Sequence, residues 1–107
     1  MSMISALLKR PGEIPRHVNV SNSLQALQKN VDGYIETITI ASDLVVICNE
    51  EGRLQGLPFN CEICGVNFVG TILMVGVDGD KFTDLPVDWP TMKKLFPDLW
   101  EVDADDP

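Results

Sequence analysis

The stretch from Leu44 to Asn60, LVVICNEEGRLQGLPFN, constrains the fold of this chain most strongly. It begins with the apolar, mostly branched run Leu44 to Cys48, which is too short for a core helix and predicts a strand buried on both faces. Asn49 suits the first position of the following turn, because its side chain can bond the backbone two residues on. Gly52 suits the left-handed position that closes a hairpin loop with a bulge. We therefore expect Arg53 to Leu57 to return as the second strand of a hairpin.

The segments before this stretch predict a hairpin followed by a helix. Residues 3 to 9 form an apolar strand pattern, and the alternation in Ile14 to Val20 predicts its hairpin partner. Ser21 to Ser23 offers candidate N-caps, and we expect Gly33 to end the helix in a left-handed conformation. Between them, apolar residues recur at helical spacing: Leu24, Leu27 and Val31. So short a helix is unstable alone, so this stripe is expected to pack against the sheet.

Three further segments differ in the clarity of their pattern. Tyr34 to Ala41 alternates cleanly as a strand, with Glu36 among the apolar members of one face. Phe59 to Val66 has no clear period. Asn67 to Val77 predicts a long strand, bent at Gly70.

The last part of the chain predicts a hairpin turn and a short helix. Asp78-Gly79-Asp80 is the turn signal, and Thr91 is expected to begin a helix that ends at Pro97. Three aromatic residues are expected to hold this helix on the sheet: Trp89, Phe96 and Trp100. Strands outnumber helices and their loops are short. We therefore predict an α+β fold, with a mostly antiparallel sheet of five or six strands, one helix packed across it and a short C-terminal helix.

The length and the charge distribution predict one domain with an acidic tail. A chain of 107 residues suffices for one modest core, which we assign to residues 1–97. The formal net charge is −8, but five of the 16 acidic residues lie at or beyond Asp98. Residues 98–107 are therefore expected to be an acidic C-terminal tail, which usually aids solubility.

Composition also excludes several classes of protein. No basic stripe is present, so direct binding of nucleic acid is not expected. The longest apolar run is interrupted by Gly70, Thr71 and Gly76 and is too short to span a membrane. The first residues lack the features of a signal peptide. We expect a cytoplasmic protein, either a monomer or a homodimer, without a membrane partner.

The three cysteines and the single histidine raise the alternative of a metal site. Zinc needs about four nitrogen or sulfur ligands, and the chain has just enough: His17, Cys48, Cys61 and Cys64. The signal is weak, because Cys48 sits in a buried-strand pattern and His17 on a hairpin face. We expect free thiols, no metal and no cofactor.

Three carboxylates are candidates for acid–base chemistry: Glu36, Glu50 and Glu51. Glu50 and Glu51 occupy the predicted turn, where polar residues are ordinary. Glu36 is more informative, because a carboxylate on an apolar face is costly to bury without a partner. Either Arg16 or Arg53 supplies that partner, or the face is half open. Without a second histidine or a converging carboxylate pair, we expect no enzyme.

Several segments together resemble domain of unknown function 3846, over about residues 3 to 97. The resemblance rests on Leu24-Gln-Ala-Leu-Gln28, Val31-Asp-Gly-Tyr-Ile-Glu36, Ile47-Cys-Asn-Glu-Glu-Gly-Arg-Leu54, Gly56-Leu-Pro58, Asn60, Gly70-Thr71, Val75-Gly76 and Phe82. The chain departs from this pattern at Asp32, where glycine is expected, and at Cys61, where arginine commonly follows Asn60. The resemblance implies an origin in bacteria, often Firmicutes, or in phages and other mobile elements. It implies no reaction.

The resemblance also raises the expectation of a polar site on the signature segments, for a ligand or a protein partner. The candidate site residues are Tyr34, Glu36, Asn49, Glu50, Arg53 and Asn60. Residues that only form turns and cap strands would give the same pattern. Our leading hypothesis is a small non-catalytic binding protein that counters host defence by binding a protein. The alternative is a sponge or receptor for a small nucleotide-like ligand, with Tyr34 stacking on it.

Overall fold

A computed structural model describes residues 2–102 of the chain. Its main sheet has six strands in the order β2-β1-β7-β4-β3, with β8 paired to β7 off this path, and all pairings are antiparallel. The strands are β1 Met3–Lys9, β2 Arg16–Ser21, β3 Ile35–Ala41, β4 Leu44–Asn49, β7 Ile72–Asp78 and β8 Lys81–Thr83. A separate hairpin consists of β5 Phe59–Ile63 and β6 Val66–Val69, and the helices are α1 Leu24–Val31 and α2 Trp89–Leu95. The predicted α+β class is confirmed.

The sheet carries a layer on each face, which explains why its central strands are apolar throughout. All six residues of β4 are buried, as the run Leu44 to Cys48 predicted. One face packs against α1 through Leu27 and Val31. The other face is covered by the β5–β6 hairpin and the C-terminal helices, through Phe68, Met92 and Leu99.

The strand that pairs with β4 was predicted wrongly. Arg53 to Leu57 does not return as a strand, since residues 50–56 form turns, and β4 pairs instead with β3 and β7. Gly52 is not in the left-handed region, which Gly56 occupies instead with φ 69°. The reason is that β4 is an interior strand: one edge is taken by β3, which precedes it by a two-residue turn, and the other by β7, which is distant along the chain.

Helix α1 begins as predicted and ends differently. Ser23 is the N-cap, and its hydroxyl accepts from the Ala26 backbone N–H at 3.2 Å. The left-handed residue at the C-terminus is Asp32, with φ 63°, and not Gly33. Leu24 is exposed, so Leu27 and Val31 alone form the packed stripe.

The predicted long strand from Asn67 to Val77 is two strands in two sheets. Gly70 separates them with φ 72°, so the bend expected there is a complete break. The segment without a clear period, Phe59 to Val66, forms β5 and the start of β6. Its two-residue turn has positive φ at both Cys64 and Gly65, as a type I′ turn requires.

At the C-terminal end, the packed part of the chain extends beyond residue 97. Helix α2 begins at Trp89, two residues before the predicted Thr91, and Asp88 caps it by accepting from the Thr91 N–H at 3.0 Å. A 3-10 helix, Pro97–Trp100, follows and buries Leu99, within the region assigned to the tail. Three aromatic residues pack against the core as predicted: Trp89, Phe96 and Trp100. Residues 103–107 of the predicted tail lie outside the described residues.

No helix in residues 2–102 is both long enough and apolar enough to cross a membrane.

Candidate functional site

Asn49, at the end of β4, organises the loop that follows it. Its Oδ1 accepts from the Glu51 backbone N–H at 2.8 Å, the bond to the residue two positions on that the sequence predicted. Its Nδ2 lies within hydrogen-bond distance of three oxygens: Val31 O at 3.2 Å, Asp32 O at 3.1 Å and Gln55 Oε1 at 3.3 Å. The side chain is only 5% exposed. Asn49 therefore ties the end of α1 to the loop and has little capacity left for a ligand.

The same contact explains the glycine after the helix. A Cβ on Gly33 would lie 2.6 Å from Asn49 Nδ2, closer than real Cβ atoms approach. Close packing against Asn49 is therefore the reason for a glycine at position 33. Gly33 does not adopt the left-handed conformation that the sequence predicted.

A cleft of about 440 Å³ lies beside this loop, and we call it the Glu36 cleft. It is formed by β3, β4, the loop after β4 and β6. Its apolar lining includes Ile38, Val66 and Phe68, and its charged lining consists of Glu36, Glu50 and Arg53. Leu54 lies at the cleft with 88% of its surface exposed. An apolar wall with exposed polar groups is the usual form of a binding site.

The charges of the Glu36 cleft are unequally engaged. Arg53 Nη2 donates to the Asn67 carbonyl oxygen at 2.8 Å, which holds the guanidinium against β6. Within residues 2–102, the ion pairs involve Arg10, Arg16 and Glu13, so Glu36 and Glu50 have no cationic partner there. The sequence suggested Arg16 or Arg53 as the partner of Glu36, but neither forms an ion pair with it. The two carboxylates remain available to a cation from outside.

Cys48 lies opposite Glu36 on the neighbouring strand β4 and forms part of the same lining. Burial of the thiol, with a smaller contribution from the negative charge of Glu36, raises the pKa of Cys48 from 9.0 to about 11. The thiolate is the nucleophilic form of cysteine. Cys48 is therefore an uncharged, unreactive part of the cleft lining at neutral pH.

The six predicted site residues do not form one patch. Four of them lie together in the Glu36 cleft: Glu36, Asn49, Glu50 and Arg53. Tyr34 precedes β3, is 65% exposed and is absent from the lining.

Asn60 lies elsewhere, on β5. Its Nδ2 donates to the carbonyl oxygens of Lys9 at 2.9 Å and Gly70 at 2.7 Å, so it fastens the hairpin to β1. Its Oδ1 is buried without a hydrogen-bond partner among the described residues. Asn60 lines a second cleft of about 490 Å³ together with Lys9 and Glu62, which we call the Lys9 cleft.

Sequence reasoning missed the apolar half of the Glu36 cleft and the burial of Lys9. Val66, Asn67 and Phe68 belong to β6. The sequence placed Val66 in the segment without a clear period and the other two in one long strand with β7. Lys9 is 2% exposed, and desolvation lowers the pKa of its amine. No sequence signal distinguishes Lys9 from an ordinary lysine at the end of a strand.

The residues considered for a metal are dispersed. The His17 ring lies 5.4 Å from that of Trp89, Cys48 and Cys61 are in the core, and Cys64 is in the exposed turn of the hairpin. Among residues 2–102, no three side chains of His, Cys, Asp or Glu are grouped as a metal site requires.

Comparison with known proteins connects this architecture with a family. The family described as "Domain of unknown function (DUF3846)" matches residues 3–97, which include every strand and α2. The chain matches no curated protein and no solved structure. The match covers most of the chain, so the protein belongs to the DUF3846 family.

Proposed function

We propose that this protein is a non-catalytic binding module, and that its Glu36 cleft takes a basic and partly apolar segment of a partner protein. The observation that carries this proposal is the pair of carboxylates, Glu36 and Glu50, which line an apolar cleft without a cationic partner in residues 2–102. A lysine or arginine side chain fits such a cleft, because its methylene groups cover apolar surface while its charge meets a carboxylate.

The surroundings of the cleft support a protein ligand. The cleft has one guanidinium, that of Arg53, against two carboxylates, so its charge is offset only in part. The chain as a whole carries a formal charge of −8, which steers basic partners toward it. Exposed Leu54 adds apolar contact area at the cleft.

The non-catalytic part of the proposal rests on the state of the available nucleophile and base. The raised pKa of Cys48 leaves its thiol protonated near neutral pH. His17, the one histidine, packs against Trp89 with its ring tilted and is not among the cleft residues. General acid–base or nucleophilic chemistry needs a poised group of this kind next to the substrate.

A nucleotide-like ligand is less well supported by the geometry. Tyr34, which was expected to stack on the base, does not line the Glu36 cleft, and Asn60 belongs to the Lys9 cleft. Two carboxylates against one engaged guanidinium would repel phosphate groups.

For the identity of the partner, we propose a host protein, in keeping with a role against host defence. What supports this is the resemblance to proteins of phages and other mobile elements.

The test compares peptide binding by variants in which two glutamates are replaced by glutamines, which removes their charges at nearly unchanged size. The full chain is immobilised and probed with a peptide array in which lysine or arginine alternates with apolar residues. The double variant Glu36→Gln/Glu50→Gln is expected to lose about tenfold in affinity for the best peptides, equivalent to about 1.4 kcal/mol. The matched control is Glu51→Gln/Glu62→Gln, because neither of these two carboxylates lines the Glu36 cleft.

Equal loss of affinity in both double variants would show that the effect is net charge and not the cleft, and would overturn the proposal. Thermal stabilisation by a nucleotide that is lost in Arg53→Gln would favour the alternative ligand class.

A further inference from the structure

Strand β3 leaves one edge of the main sheet without a partner in residues 2–102. The sheet begins at β2 and ends at β3. The β2 edge begins at Arg16, which pairs with Glu13, and charge at an edge discourages pairing with another chain. Strand β3, IETITIA, contains Glu36 as its one charged residue and no lysine or proline. A long and mostly uncharged edge offers a ready template for another strand.

The backbone groups that face outward from β3 follow from its pairing with β4. The Glu50 N–H donates to the Tyr34 carbonyl oxygen at 2.8 Å, and Ile35 lies opposite Asn49 in the next position. Antiparallel ladders alternate, so even-numbered residues of β3 bond inward to β4 while the N–H and C=O groups of Ile35, Thr37 and Thr39 point outward. A register irregularity follows Thr39, so the regular part of this free edge is Ile35 to Thr39.

The sequence of β3 is close to self-complementary about Ile38. When two copies are placed antiparallel with Ile38 opposite Ile38, Thr37 of each copy lies opposite Thr39 of the other. These are the residues whose backbone groups face outward, so the threonines form the hydrogen-bonded pairs and the isoleucines the closer, non-hydrogen-bonded pair. Glu36 then lies opposite Ile40, and no carboxylate faces another.

We propose that the protein forms a homodimer by antiparallel pairing of β3 with β3 of a second copy, with Ile38 on the two-fold axis. The two main sheets join into one continuous sheet. This arrangement is isologous and therefore closes at two copies, which prevents further growth through the same edge.

The dimer extends the Glu36 cleft, a consequence that rests on the proposed function of that cleft. Glu36 and Ile38 line the cleft from β3. In the paired register, Ile38 and Ile40 of the second copy stand beside these two side chains on the same face of the joined sheet. The clefts of the two copies therefore meet across the axis and form one site for a two-fold symmetric partner, or for two copies of its basic segment.

The first experiment measures the molecular mass in solution and tests whether a proline in the free edge of β3 prevents dimer formation. Sedimentation equilibrium of the full chain at micromolar concentrations is expected to give twice the chain mass of 11.8 kDa. Thr37→Pro is expected to give a monomer, since it removes an outward N–H that serves no bond within residues 2–102. Thr37→Val keeps that N–H and is expected to remain a dimer. A monomeric wild-type chain, or a dimeric Thr37→Pro protein that is folded by circular dichroism, would overturn the proposal.

The second experiment tests the register and does not depend on the proline variant. In a Cys64→Ser background, Ile38→Cys is expected to form an interchain disulfide in air. Non-hydrogen-bonded pairs place Cα atoms about 4.5 Å apart, within disulfide range. The matched variant Glu36→Cys is expected to form no interchain disulfide, because the two introduced cysteines would be about 13 Å apart along the strands. Equal crosslinking of both variants, or crosslinking of neither, would refute this register.

These outcomes separate the dimer from the function of the cleft. Glu36→Gln/Glu50→Gln is expected to weaken peptide binding without changing the mass. A chain that binds basic peptides as a monomer would retain the proposed function and eliminate the dimer.

Discussion

Asn49 and Glu50 are adjacent in the sequence and have opposite environments. The Asn49 side chain is buried and bonded to the end of α1 and to its own loop, whereas Glu50 lines the open Glu36 cleft without an ionic partner in residues 2–102. The polar signature from Asn49 to Asn60 therefore has an architectural part, Asn49 and Asn60, and an exposed part, Glu50 and Arg53. The comparison teaches that a polar motif within one family need not be one site.

The largest expected effect is loss of stability when Asn49 is shortened. Asn49→Ala removes the amide that serves Val31 O and Asp32 O and leaves the Glu51 N–H unsatisfied. We expect the free energy of unfolding to fall by about 3 kcal/mol. Urea unfolding followed by circular dichroism measures this. Glu50→Gln is the control and is expected to change stability by less than about 0.5 kcal/mol. Similar losses in both would abolish the distinction between the two environments.

Asn60→Ala is expected to have a smaller effect of the same kind. It removes the two bonds to Lys9 O and Gly70 O, but Asn60 Oδ1 has no partner to lose among the described residues. We expect about 2 kcal/mol of destabilisation by the same urea titration. The backbone amides of the β5–β6 hairpin should also exchange their hydrogens faster relative to those of β4, because Asn60 fastens the hairpin to β1. A loss larger than that of Asn49→Ala would reverse the ranking of the two asparagines.

The alkaline range tests the burial of the two core thiols, Cys48 at the Glu36 cleft and Cys61 at the Lys9 cleft. Burial raises the pKa of Cys48 and of Cys61 from 9.0 to about 11, so the folded state keeps protons that the unfolded state releases. The contribution of these two thiols to stability is therefore constant below about pH 9 and falls from about 9 to about 11, by on the order of 1 kcal/mol for each thiol. Denaturant titrations across this range measure the slope.

Cys48→Ala is expected to remove its share of this slope, while Cys64→Ser, in an exposed turn, should leave it intact. A wild-type slope that Cys48→Ala leaves unchanged would contradict the burial of that thiol.

The smallest expected effect comes from Asp32, which Asn49 contacts only through its backbone oxygen. Asp32 has φ 63°, a conformation in which a Cβ is unfavourable. Asp32→Gly keeps the backbone oxygen and is expected to raise the free energy of unfolding by about 0.5 kcal/mol. The melting temperature should rise accordingly. Gly33→Ala is the contrasting change, because its Cβ would collide with Asn49 Nδ2, and it should destabilise. Stabilisation by both would contradict the packing of Asn49 against Gly33.

Much of the fold was predictable from local patterns. The buried run of β4, the alternation of β3, the β1–β2 hairpin, the Ser23 cap and the turn before β8 all report burial or backbone geometry within a few residues. The Asn49 turn was predictable for the same reason, since its bond spans only two residues.

The errors in the strands share one cause, which is long-range strand pairing. Any strand presents the same backbone donors and acceptors, so periodicity did not show that β4 pairs with β7 or that β6 leaves the main sheet after Gly70. Without β6 the Glu36 cleft has only one wall. The sequence could therefore propose Glu36, Glu50 and Arg53 as a group, but could not supply the apolar side that makes it a cleft.

By itself, the sequence determined the α+β class, most of the strands, the helix α1 and the resemblance to the family that the comparison then confirmed. Tertiary structure alone decided that Asn60 fastens a hairpin far from Asn49, that Tyr34 is outside the cleft, and that β3 is an edge. The physical reason is that a side chain's chemistry is local, whereas its exposure and its neighbours depend on which distant strands pack beside it.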